Sequence, residues 1–292
     1  MALDHFQRQA KASLAVYKRE VLGITEDGIW RKNKRPYPHI LPIAQRRLNI
    51  LPSIREAFWD WFRDRGIALH SDFHHLNSSQ ALCFNLFFSL LSDNGRPLGN
   101  VLDALRISGE PVPGATFEFR PNEVEGTCFD FMIPTALGAR VYFELKYSES
   151  KFGGARTDID HLDKFRRVYQ PRLHGRFEDS FCCEAPFLAN YQIVRNIWHL
   201  DYESGDNVVF LFPRANTSLC RQEAIIRNCA AELYKSRVHI VYLEDLLTIL
   251  RMECKCSHFE IATLAEFEAK YFRNASRVQI TDSQRTNCPR FV

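Results

Sequence analysis

Two strand-like runs on either side of a short turn constrain this chain more than any other feature. Thr127-Cys128-Phe129-Asp130-Phe131-Met132-Ile133 is rich in aromatic and β-branched residues and is stopped by Pro134, which has no N–H to give a ladder. Val141-Tyr142-Phe143-Glu144-Leu145-Lys146 has the same character, with Leu137-Gly138 between them as the turn. An antiparallel hairpin there sets Asp130 opposite the segment from Glu144 to Lys146. Lys146, two residues beyond Glu144, falls on the same face of its strand. Two carboxylates and an ammonium at one hairpin end suit metal-assisted phosphodiester hydrolysis. The carboxylates hold a hard cation such as Mg²⁺, or Mn²⁺ in its place, and the lysine orients water or neutralises phosphate. Periodicity alone leaves the other reading open, an ordinary hairpin with a surface ion pair.

The triplet Glu-x-Lys is not specific by itself. It recurs at Glu149-Ser150-Lys151, Glu253-Cys254-Lys255 and Glu268-Ala269-Lys270. Glu268 lies in a run that reads as helix, Glu253 in a Cys-rich polar stretch and Glu149 beyond the apolar run. Only Glu144 follows a strand signal.

The residues around this copy carry a resemblance. Glu125-Gly126-Thr127-Cys128-Phe129-Asp130-Phe131, then Phe143-Glu144-Leu145-Lys146-Tyr147-Ser148-Glu149 and Phe152-Gly153, resemble the active-site core of a bacterial restriction-endonuclease-like family. That family belongs to the PD-(D/E)XK nuclease superfamily. Asn77-Ser78-Ser79-Gln80-Ala81-Leu82-Cys83-Phe84-Asn85-Leu86-Phe87 upstream is similar to a further block of it. So are Phe187-Leu188, Tyr191-Gln192-Ile193-Val194-Arg195-Asn196, Phe210-Leu211-Phe212-Pro213-Arg214 and Asn216 downstream, so the match spans residues 69 to 245. The resemblance implies an α/β restriction-endonuclease-like core, a mixed sheet flanked by helices in the order αβββαβ. It implies metal binding by Asp130, Glu144 and the Leu145 carbonyl, with Lys146 orienting the attacking water.

Composition agrees. At 292 residues, 46% hydrophobic and 25% charged, the chain can bury a full core. No apolar run approaches the roughly 18 residues of a membrane span, and Asp4, His5, Gln7, Arg8 and Gln9 leave no signal-peptide core, so the expectation is a cytoplasmic protein. Nine cysteines, an odd number, fit reduced thiols better than a disulfide framework. A net charge of +3 is too small to signal nucleic-acid binding, so any such footprint must be local.

Periodicity predicts helices over 4–22 and 53–65, joined by the Pro-rich Arg35-Pro36-Tyr37-Pro38-His39-Ile40-Leu41-Pro42. Residues 1–66 read as an N-terminal helical extension and 67–292 as the nuclease domain. Ser78 or Ser79 caps a buried helix running to Leu91. Residues 115–120 alternate as a strand before the hairpin. Helices over 158–169 and 186–200 follow, then the apolar strand Asn207–Pro213, a helix over 218–234 and the strand Val238–Tyr242.

Further polar residues are candidates for the site. Glu118, read on the strand face opposite Phe117 and Phe119, is either an additional metal ligand or solvated. Many superfamily members carry a glutamate on the first core helix. Here no acid lies between Ser78 and Leu91, and Gln80 is the nearest substitute, bonding either substrate or backbone. Gln192, Arg195, Asn196 and His199 form a helical polar stripe from which the resemblance draws Gln192 and Arg195 toward a phosphate. Lys164, Arg166, Arg167, Arg172, His174 and Arg176 form a basic stretch that either grips backbone phosphates or is a plain surface helix. Cys254-Lys255-Cys256-Ser257-His258 has donors for zinc but no second pair at finger spacing, and His70, His74 and His75 read as a hydrogen-bonding loop. No nucleotide-binding glycine motif occurs.

These readings converge on a Mg²⁺-dependent nuclease acting on DNA. RNA stays open as a substrate, because the residues act on phosphate and not on sugar or base. The competing class is a catalytically inactive module binding nucleic acid or protein on the same fold.

Overall fold

The computed structural model describes residues 4–92, 95–253 and 258–272. The chain begins with α1 (His5–Glu20), β1 (Gly28–Trp30), β2 (Arg35–Tyr37), α2 (Arg55–Phe62), α3 (Ser79–Phe87) and α4 (Leu98–Ala104). β3 (Thr116–Phe119), β4 (Phe129–Pro134) and β5 (Arg140–Leu145) follow, then α5 (Ile159–Lys164), α6 (Glu184–Ala189), α7 (Tyr191–Trp198) and β6 (Asn207–Phe212). The last elements are α8 (Thr217–Cys220), α9 (Glu223–Cys229), α10 (Glu232–Lys235), β7 (Val238–Tyr242), α11 (Leu243–Glu253) and α12 (His258–Tyr271). β1 and β2 make a small separate hairpin. The main sheet runs β3-β4-β5-β6-β7, antiparallel from β3 to β5 and parallel from β5 to β7. Among the described residues no helix is long and apolar enough to cross a membrane.

Helices cover both faces of this mixed sheet because its central strands are apolar on both. Every residue of β6 is buried, as its continuous apolar run predicts. Val209 and Leu211 pack into one cluster with α3, α11 and α12, while Val208, Phe210 and Phe212 pack into another with α6, α7 and α9. The first cluster also contains Leu14, Leu41, Ile50, Leu51, Ile54 and Phe58 from the front of the chain. Asn85, within α3, ties these parts together. Its Oδ1 accepts the Leu51 N–H at 2.9 Å, and its amide donates to the Asn49 carbonyl and the Tyr271 hydroxyl, each at 2.9 Å.

Local sequence explains where elements begin and end. Ser78 caps α3 by accepting the Ala81 N–H at 3.3 Å, and every residue from Gln80 to Phe87 is buried. The β4–β5 turn closes with Gly138 at φ +84°, a conformation that glycine adopts without steric cost. The helix read over 158–169 runs from α5 straight into its last turns, whereas those read over 186–200 and 218–234 are each broken. Pro171 lies in the 3₁₀ turn that ends the first, after a π-turn over Phe165–Tyr169. Asn190, at φ −115° and ψ 30°, separates α6 from α7, and the extended Ala230 and Ala231 separate α9 from α10. The Pro-rich connection folds as the β1–β2 hairpin, which the sequence pattern did not predict. Cys83, Cys128, Cys182, Cys183, Cys220 and Cys229 are free. Cys254-Lys255-Cys256-Ser257 lies outside the described residues.

Candidate active site

The β3–β4 pair carries a break at the site. Phe117 pairs with Phe131 and Phe119 with Phe129. Residues two apart on an unbroken strand share a face. Yet Phe117 and Phe131 belong to the first cluster, whereas Phe119 and Phe129 pack with the second. The reversal falls at Glu118 and Asp130, where the ladder skips a pair, and Glu118 has φ +52°, uncommon for a non-glycine residue. This corrects the expectation that Glu118 lies opposite both phenylalanines. It sits at the point where the strand turns over.

The same break frees Asp130 for the neighbouring strand. The β4–β5 ladder ends at Phe131 and Phe143, and the Asp130 Oδ2 accepts the Leu145 N–H at 2.6 Å. Burial, then the negative charges of Glu144 and Glu118, push the Asp130 carboxyl well above the usual carboxylate range, against the pull of Lys146. Glu144 is only 2% exposed and is held by three donors. Its Oε1 accepts from the Lys146 Nζ at 2.8 Å and the Gln192 Nε2 at 2.6 Å, and its Oε2 from the Asn196 Nδ2 at 2.9 Å. Burial works against the charge on Lys146, but Glu144, Glu149 and Asp130 outweigh it and hold the ammonium form.

Gln192 and Asn196 come from α7, one turn apart, so both reach the same carboxylate. Gln192 is itself clamped, its Oε1 accepting the Gly153 N–H at 3.0 Å and its own N–H donating to the Gly153 carbonyl at 2.8 Å. Asn196 appears in the sequence only as a member of a polar stripe, and nothing there distinguishes it as a holder of Glu144. Arg195 is on the same helix but turns aside. Its guanidinium lies 4.9 Å from the centre of the Tyr191 ring, and among the described residues it makes no ion pair with Asp130 or Glu144.

Gln80 is completely buried and its amide is used inside the protein. It donates to the Ala68 carbonyl at 3.0 Å and to the Glu118 Oε1 at 2.8 Å, and accepts the His70 N–H at 2.9 Å. It positions Glu118 rather than facing a ligand. The other Glu118 oxygen lies 3.3 Å from the Cys128 thiol and 3.6 Å from the His70 Nε2. Burial raises the Glu118 pKa, but the bonds from His70, Gln80 and Cys128 more than reverse this and leave it lowered.

The basic stretch is largely tied down. Lys164 donates to the Glu125 carbonyl, Arg166 bonds Glu184 at 2.8 Å, and Arg176 donates to the carbonyls of Trp198 and Leu200 at 3.2 and 2.7 Å. Glu125, which opens the resembling block, also belongs to an internal network. Its Oε2 accepts the Thr127 N–H and bonds the His199 Nε2, each at 2.7 Å, and its Oε1 accepts from the Tyr169 hydroxyl. Burial opposes ionisation of Glu125, yet His199, Thr127 and Tyr169 hold its pKa well below the usual range.

The donor set fits a hard cation between Asp130 and Glu144. Both are oxygen ligands, their charges repel, and the Asp130 Oδ1 receives no hydrogen bond among the described residues. Glu118 does not close a tight trio with them. Among the described residues, the one group of three His, Cys, Asp or Glu donors within 4.8 Å of one another is His174, Asp179 and Cys182, which shares no residue with this site. His70 lines three cavities, none of which is lined by Asp130, Glu144 or Lys146, and two of them flank Glu118 and Ser148. One of about 880 Å³ is lined by Trp61, Arg65, Thr116, Glu118 and Arg120, the other of about 250 Å³ by Lys11, Asn77, Ser148 and Glu149.

A hairpin end with two carboxylates and a lysine, on a mixed sheet flanked by helices, defines a restriction-endonuclease-like protein. The family model described as restriction endonuclease associating with ARP matches residues 10–272, and the chain belongs to that family. No curated protein and no solved structure matches it.

Proposed function

We propose that this protein is a metal-dependent nuclease that hydrolyses phosphodiester bonds in DNA. The observation that carries this reading is the hairpin end, where Asp130 and Glu144 present carboxylates beside the Lys146 ammonium, with Glu144 fixed by Gln192 and Asn196. A Mg²⁺ or Mn²⁺ held by Asp130, Glu144 and the Leu145 carbonyl would stabilise the charge that builds on the phosphoryl oxygens. Glu118 stands as a further donor, kept ionised and aimed by Gln80. Lys146 orients the attacking water, and hydrolysis proceeds in line without a covalent enzyme intermediate. The family description names association with ARP, and we extend that association to this chain.

The test is cleavage of plasmid, linear and single-stranded DNA with Mg²⁺ by the wild type, Asp130→Ala and Lys146→Ala. Both variants lose cleavage if the hairpin is the active centre. Equal residual cleavage in all three proteins assigns the activity elsewhere. Because three donors already engage Glu144, a second reading has support, an inactive nucleic-acid- or protein-binding module. That module is the outcome if neither metal stabilises the fold or supports cleavage while DNA still binds with salt-dependent affinity.

A further inference from the structure

Among the described residues no strand pairs with the outer side of β7, the last strand of the main sheet, and its register shows which backbone groups face outward. Val208 lies opposite Val238 and donates its N–H to the Arg237 carbonyl at 2.9 Å, with Phe210 opposite Ile240. In a parallel pair a bonded residue reaches the positions before and after its partner. His239 and Val241 therefore direct their N–H and C=O groups toward β6. Val238, Ile240 and Tyr242 direct theirs away from the sheet, and among the described residues Ile240 makes no backbone bond on that side.

Edges of this kind are usually blunted by lysine, proline, a bulge or a covering element. Val238-His239-Ile240-Val241-Tyr242 contains no lysine or proline, and all five residues are only partly buried. Beside the strand runs a groove of about 440 Å³. Its walls include Leu105, Ile240, Leu246 and Ile249, and its rim carries Arg106, Arg214 and Arg227, of which Arg214 pairs with Asp245 and the exposed Arg227 lies 3.8 Å from Glu223. Two copies meeting edge to edge would bring these arginines together. A nucleic-acid backbone would leave the apolar walls and the outward N–H groups unused.

We propose that the β7 edge is a docking site for an extended, acidic segment of a partner protein, which joins the sheet as an added strand. Main-chain hydrogen bonds to Val238, Ile240 and Tyr242 give affinity in such an arrangement, and alternate side chains read the groove. Acidic residues of the segment pair with the arginine rim. This surface is independent of the nuclease reading, since no residue of the Asp130–Glu144 site lines it.

The experiment is fluorescence anisotropy of the full-length protein with a labelled peptide alternating Glu and Val, and a control alternating Lys and Val. The Glu-containing peptide binds saturably and the control does not. Ile240→Pro deletes an outward N–H while sparing the ladder to β6, and weakens binding by about tenfold or more. Arg227→Glu, an exposed change that does not touch the ladder, weakens it in the same way. DNA cleavage is unchanged in both variants. The proposal is overturned if the peptide binds Arg227→Glu as well as wild type, if single-stranded DNA displaces it, or if the edge instead forms a dimer that Ile240→Pro abolishes.

Discussion

The amide of Gln80 donates to the Glu118 carboxylate at 2.8 Å while its oxygen takes the His70 N–H at 2.9 Å. A neutral amide is the group that can satisfy both neighbours, since a carboxylate has no proton to offer Glu118. The missing helix acid is therefore not simply a lost ligand. Gln80 stands where an acid would repel Glu118, and it holds that strained residue in place.

Gln80→Glu should destabilise the protein at neutral pH, because two carboxylates meet at hydrogen-bond distance. Acidification relieves the clash once one of the pair is protonated and can donate again. Thermal melts at pH 7 and pH 5 read this as a variant whose deficit shrinks in acid. Gln80→Leu strands the His70 N–H and the Glu118 Oε1 and costs about 1–3 kcal/mol at either pH. An unchanged melting temperature in both variants would show that the amide bonds contribute nothing.

Asp130 is held in an unfavourable state when ionised, by burial first and then by Glu144 and Glu118. Asp130→Asn keeps an acceptor for the Leu145 N–H and removes the charge, so the metal-free variant melts at or above the wild-type temperature. Adding Mn²⁺ then raises the wild-type melting temperature and leaves the variant where it was. Equal metal-induced shifts in the two proteins would place the cation away from Asp130.

Asn196 supplies the donor to the Glu144 Oε2 from a fully buried position. Asn196→Leu leaves that oxygen unpaired at a cost of about 1–3 kcal/mol, and Asn196→Asp, which adds a like charge at the same point, costs more. Urea denaturation should rank wild type above Asn196→Leu above Asn196→Asp. The reverse order for the two variants would mean that Glu144 is not charged in the folded protein.

The backbone of this site is more legible in the sequence than its supports are. β-branched and aromatic runs marked β4, β5 and β6, and the turn at Gly138 follows from glycine's freedom at φ +84°. Period-two alternation, however, assumes an unbroken strand, so it missed the turnover at Glu118 and Asp130. It also treated Gln192, Arg195 and Asn196 alike, because helical spacing identifies a face but not which side chain meets a neighbour. Asn196 bonds Glu144 and Arg195 lies over Tyr191, a difference that depends on where α7 crosses β5.

His39 links stability to pH away from the site. It is 7% exposed. Burial, reinforced by Lys11, His75 and Lys18, lowers its pKa from 6.5 to about 3. Between those values the unfolded chain takes up a proton that the folded protein does not, so stability falls as the pH drops below 6.5. Each pH unit well inside this window is worth about 1.4 kcal/mol, or roughly 2 kcal/mol between pH 7 and pH 5. His39→Gln has no proton to take up, so its stability relative to wild type should rise by that amount over the same interval. Urea denaturation at the two pH values measures the change. A constant difference would mean that folded His39 is protonated as readily as the unfolded imidazole.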